Sequence, residues 1–148
     1  MNIINELIAN RILITAAISW ATAQVLKTII HAIVNKTLDP KRLFGDGGMP
    51  SAHSATVTSV AVGCGFSSGF DSPTFALALI FAFVVMHDAM GVRLETGKQA
   101  KVLNDLMEFF YTEGTPEQKL KEFVGHTPMQ VISGFILGII ITCVMFLL

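Results

Sequence analysis

At 148 residues the chain has the length of one domain, but 52% hydrophobic residues, only 14% charged residues and a mean hydropathy of +0.62 exclude an ordinary soluble fold. A formal net charge of −1 with no basic stripe gives nucleic-acid binding no support. Cys64 and Cys143 lie inside apolar runs without C-x-x-C or Cys/His spacing, which sets aside a disulfide framework and a zinc site. The amino-terminal run shows no small-residue cleavage site and is expected to stay in the mature protein.

A membrane-spanning helix needs about 20 mostly apolar residues. Four segments qualify: Leu7–Val34, Ser51–Phe70, Pro73–Val92 and Thr127–Leu148. The expected fold is therefore all-α, an integral membrane bundle of about four transmembrane helices with a cytoplasmic amphipathic segment, residues 1–148 forming one membrane-embedded domain. The first span carries Arg11 and Lys27. The second is rich in small residues, and Ser59, Gly63 and Ser67 at spacing four suit an inner helix that neighbours approach closely. The third and fourth are the most apolar.

The connections are unequal. Asn35–Pro50 is polar, Ser67–Pro73 is a tight turn, and Arg93–Gly125 is predicted to lie on the membrane surface, with an amphipathic helix over Lys98–Phe110 and Thr115 capping a further helix. The two long connections hold Lys36, Lys41, Arg42, Arg93, Lys98, Lys101, Lys119 and Lys121, against Arg11 alone on the other side. The positive-inside rule then puts both long loops in the cytoplasm of a bacterial inner membrane and both termini outside. With this topology Lys27, His53, Asp88, Arg93 and His126 share one face. Ionisable groups at a bilayer are costly unless paired or wet, so such a cluster is a functional candidate.

Gly47-Gly48-Met49-Pro50-Ser51-Ala52-His53-Ser54 places a turn, a hydroxyl and an imidazole at the start of an apolar helix, where backbone N–H groups and the helix dipole favour an anion. Ser51 can donate to a phosphate oxygen and His53 can protonate a leaving alkoxide. An N-capping serine followed by an interfacial histidine explains the same residues. His126, before Thr127-Pro128, is a candidate nucleophile on phosphorus or a helix-cap histidine. Arg93 can hold phosphate with its fork of donors or snorkel to the interface, and Asp88 can orient a histidine or an arginine. Gln24, Lys27 and His31 form a polar stripe, giving Lys27 either to a phosphate oxygen or to the helix end.

Three pieces carry a resemblance. Pro50-Ser51-Ala52-His53 is similar to the Pro-Ser-Gly-His motif of the type 2 phosphatidic acid phosphatase and vanadium haloperoxidase superfamily. Asp88-Ala89-Met90-Gly91-Val92-Arg93 with Gly97-Lys98-Gln99-Ala100 resembles a segment of its small divergent membrane branch. His126-Thr127-Pro128-Met129-Gln130-Val131, with Gly134 and Gly138, resembles the third motif, Gln130 standing where that motif has aspartate. The resemblance implies His126 as nucleophile, His53 as acid for the leaving group and Ser51 in the phosphate cradle. Leu120 occupies the position of a family arginine, so Lys27, Arg93 and Lys98 are expected to supply the phosphate-binding charge, and Asp88 to orient the histidine.

The expected function is a lipid phosphatase acting on a phosphate monoester or pyrophosphate, with no metal and no other cofactor. Its partners are the lipid phosphate and the surrounding membrane lipids, and four short spans leave room for a homodimer. The alternatives are a non-catalytic lipid-phosphate binder or transporter, and a structural membrane subunit whose polar cluster packs helices.

Overall fold

The structure, a computed structural model, describes residues 2–37, 47–110, 120 and 125–148. Lys41, Arg42, Thr115, Lys119 and Lys121 lie outside these. Among the described residues six helices follow in order: α1 (Ile3–Ala9), α2 (Arg11–Asn35), α3 (Ala52–Ser68), α4 (Pro73–Met90), α5 (Val92–Phe110) and α6 (Pro128–Leu147).

Helix starts follow local capping chemistry. Asn10, Ser51, Ser72 and Thr127 each accept from a backbone N–H in the first turn of α2, α3, α4 and α6, and Pro73 and Pro128 occupy first-turn positions where no N–H is missed. The Asn10 cap also divides the predicted first span, because the chain leaves helical geometry there and restarts at Arg11. Gly91 likewise separates α4 from α5. The amphipathic helix thus begins at Val92, six residues before the predicted Lys98.

Among the described residues three stretches are long and apolar enough to cross a membrane: Arg11–Asn35, the α4–α5 stretch Pro73–Phe110 and Pro128–Leu147. The α4 side chains Leu77, Ile80, Phe81 and Phe83 are well exposed, as lipid-facing groups should be. Helix α3, at 17 residues, lies at the short end of the spanning range and packs against α2, α4 and α6. It is the inner helix that its small residues predict: Ser59 and Gly63 are buried, although Ser67 is exposed.

The closest approach comes from the other partner. A Cβ on Gly134 would collide with the carbonyl oxygen of Ser51, and one on Gly138 would lie 2.6 Å from that of Ala55. The backbones of α3 and α6 therefore touch through glycine, the way helices associate where no hydrophobic effect drives them. The N–H of Ser51 donates to the carbonyl of Gln130 at 3.0 Å and pins both helix starts at one level. At the far end Arg11 of α2 donates to the carbonyl of Met145 and lies 4.6 Å over the Phe146 ring, so α2 runs antiparallel to α6.

Gly138→Leu should destabilise the protein by about 1–3 kcal/mol through overpacking at the α3–α6 contact. Thermal unfolding in detergent would read this as a lowered Tm, with the half-exposed Ile140→Leu as a near-silent control. An unchanged Tm for Gly138→Leu would show that the backbones are not in contact.

Candidate functional site

The antiparallel packing gathers the end of α4, the starts of α3 and α6 and the later turns of α2 at one end of the bundle. Two imidazoles meet there: the rings of His53 and His126 stand 6.1 Å apart between centroids, at 60° to each other. His53 is exposed and His126 is 4% exposed.

His126 is held from both sides. Its backbone N–H donates to the carbonyl of Ala89 at 2.9 Å, joining the segment before α6 to the last turn of α4. Gly125, at φ +97, lies against the Arg93–Leu94 backbone so closely that a Cβ would sit 2.7 Å from the carbonyl carbon of Arg93. Only glycine accepts both that conformation and that approach.

The ring of His126 is fixed by Gln130. Thr127 and Gln130 form a capping box, in which Oε1 of Gln130 accepts from the Thr127 N–H at 3.1 Å. The same oxygen lies 3.1 Å from Nδ1 of His126. An amide oxygen only accepts, so Nδ1 carries the proton and Nε2 of the neutral ring keeps its lone pair. A glutamine thus selects the tautomer that a nucleophilic Nε2 requires.

Ser51 plays two parts. It caps α3, and its Oγ accepts from the Ser54 N–H at 3.3 Å and from the Ser54 hydroxyl at 3.0 Å. With both lone pairs engaged, its remaining capacity is as a donor. Lys27 is 4% exposed, and its stem packs on Gly48, where a Cβ would lie 3.0 Å from Cγ and Cδ. Gly47 and Gly48 both have positive φ, so the chain before Ser51 folds tightly over the lysine.

The remaining candidates lie differently from expectation. Asp88 does not orient His126; its carboxylate pairs with Nε of Arg93 at 2.7 Å, since Gln130 already occupies Nδ1. Arg93 is exposed, its backbone abuts Gly125, and its Nη groups have no partner among the described residues. Lys98 pairs with Glu95 at 2.6 Å on the outside of α5, and no described contact brings it to the histidines. Leu120 is held through its backbone: the amide of Asn104 donates to its carbonyl and accepts from its N–H, both at 2.9 Å. Asn104 and Ser54 were not foreseen. The Thr-x-x-Gln spacing of the capping box was readable in the sequence and would have pointed to Gln130 as the ring's partner.

Comparison with known proteins identifies the family. Residues 8–141 match the family described as the Divergent PAP2 family. The chain belongs to that family. It is also 39% identical over 152 residues to the "Uncharacterized membrane protein YuiD" of Bacillus subtilis (strain 168), the alignment covering 95% of this chain and 96% of the relative. No solved structure matches. This divergent PAP2 chain is an integral membrane protein.

Imidazole nitrogen NMR tests the Gln130 contact. His126 should show a protonated Nδ1 in the native protein and a mixture of tautomers in Gln130→Leu. In Gln130→Glu the tautomer should persist while the titration midpoint of His126 rises relative to the native protein, because a neighbouring carboxylate favours the imidazolium. An unmoved midpoint would place the Gln130 side chain away from the ring.

Proposed function

We propose that the protein hydrolyses a lipid phosphate monoester or pyrophosphate through a phosphohistidine on His126. The observation that carries this reading is the pairing of a buried imidazole, its Nδ1 held by Gln130, with the exposed imidazole of His53, two residues from the cap Ser51.

In the first step Nε2 of His126 attacks phosphorus; the N–P bond forms as the P–O bond to the lipid breaks, and His53 gives its proton to the leaving oxygen. Water then attacks the phosphohistidine with His53 as base, releasing inorganic phosphate and restoring His126. Lys27, Ser51 and Arg93 neutralise and position the phosphoryl oxygens, the larger part of catalysis in such a transfer. Asp88 serves the reaction through Arg93 by steering the guanidinium. Lys98 stays outside this scheme. The charge bias of the long loops puts the site at the cytoplasmic face of a bacterial inner membrane.

Two observations favour the rival reading, a lipid-phosphate binder or transporter. Gln130 is neutral and lends no charge to an imidazolium or phosphohistidine, and Leu120 stands where the resemblance expects arginine.

Phosphate release in detergent from a panel of lipid phosphates and pyrophosphates separates the two. His126→Ala should abolish release with the fold intact, and His53→Ala should slow it by roughly 10²–10⁴-fold. Tight binding with no release by the native protein would favour the binder. Full activity in a folded His126→Ala protein would end the assignment.

A further inference from the structure

Helix α5 buries one narrow face. Gly97, Ala100 and Asn104 are its buried residues, and their spacings of three and four put them in a single row. The Arg93–Leu94 backbone lies one turn before Gly97. Two members of the row are small enough for another backbone to lie against. The third carries an amide, which burial obliges to find partners.

Asn104 finds them in one residue, 16 positions along the chain. Its Nδ2 donates to the carbonyl of Leu120 and its Oδ1 accepts from the Leu120 N–H, both at 2.9 Å. This is the exchange that a residue pair makes between two antiparallel strands, here made by a side chain. An amide offers the donor and the acceptor together, where a carboxylate lacks the donor. The Leu120 side chain is half-exposed, so the grip is on the peptide. The same chain meets the same row again at Gly125, against the Arg93–Leu94 backbone, ten residues or about 15 Å back along α5. His126 follows at once, with its N–H on the Ala89 carbonyl. Of these three attachments, the one at Asn104 alone is made by a side chain.

We propose that Asn104 is a positioning residue for His126: by clasping the Leu120 peptide it sets where the segment leaves α5, and so how closely the His126 ring approaches His53. The proposal rests on the histidine reading above and adds to it the element that aims the nucleophile. Asn104 acts through the backbone and touches neither histidine ring in this scheme. Lys27 belongs to α2, and Ser51 and His53 to the start of α3, so phosphate binding survives loss of the clasp. Attack on phosphorus does not, because a reacting atom displaced by about 1 Å loses on the order of 10² in rate.

Amide hydrogen exchange on the full chain in detergent tests the clasp without relying on activity. In Asn104→Ala the His126 N–H should exchange about tenfold faster or more, while the Ser51 N–H, bonded to Gln130 at the α3–α6 contact, keeps its native rate. Leu120→Ala, which leaves the peptide in place, should match the native protein at both. Should Asn104→Ala fail to fold, Asn104→Asp, which keeps the acceptor and loses the donor, carries the same expectation at smaller size. In the phosphate-release assay Asn104→Ala should lower kcat by about 10–100-fold and leave KM within about twofold. Unchanged exchange at His126, equal acceleration at Ser51, or a loss confined to KM would overturn the proposal. If His126 alone exchanges faster but the native protein releases no phosphate from any lipid, the hydrolase reading fails and the clasp stands.

Discussion

The contact between the backbones of α3 and α6 is the constraint on which the rest of the molecule depends. Gly134 and Gly138 let α6 lie against the carbonyls of Ser51 and Ala55, and the Ser51–Gln130 hydrogen bond sets the register of the two helices. Dispersion falls away quickly with separation, so a methyl group at either glycine would weaken contact along the whole seam. That register places the first turn of α3, with His53, beside the residues that precede α6, with His126. Ala23 of α2 packs on Ala52 and Ala55, which carries Lys27 to the same level.

The interior of this bundle is lined by hydroxyls. Its largest fully buried side chains are all threonine and serine: Thr15, Ser19, Ser51, Ser54, Thr58, Ser59 and Thr142. Lipid offers apolar surface as good as leucine's, so the bundle gains by turning leucine and phenylalanine outward and packing small residues between helices. Several of these hydroxyls bond within their own helix, as Thr15 does to Arg11 and Thr142 to Gly138. The charged groups lie at the ends: Arg11 at one, and Lys27 with the Asp88–Arg93 pair at the other, where water and headgroups reduce the cost of charge.

Gln130 illustrates how a neutral group does work usually assigned to a carboxylate. Burying a charged acceptor beside His126 would require its own compensation at this depth. An amide oxygen fixes the tautomer at less desolvation cost, and the capping box holds that oxygen in place from the backbone side.

The apolar runs, the cap at Ser51 and the gathering of Lys27, His53, Arg93 and His126 at one end were all legible in the sequence. Each depends on local chemistry or on the distance between charges along the chain. The breaks at Asn10 and Gly91 were less so, because a short polar residue or a glycine inside an apolar run is compatible with an unbroken helix. Which ionisable groups face the histidines was decided by the tertiary structure. The sequence left Asp88 equally able to face a histidine or Arg93, and Lys98 able to reach the site or turn away from it. In lipid both faces of a helix are apolar, so hydrophobic periodicity does not report which face is inward. The rotation of each helix, set here by glycine contacts and one backbone hydrogen bond, brought His53 to His126 and turned Lys98 outward.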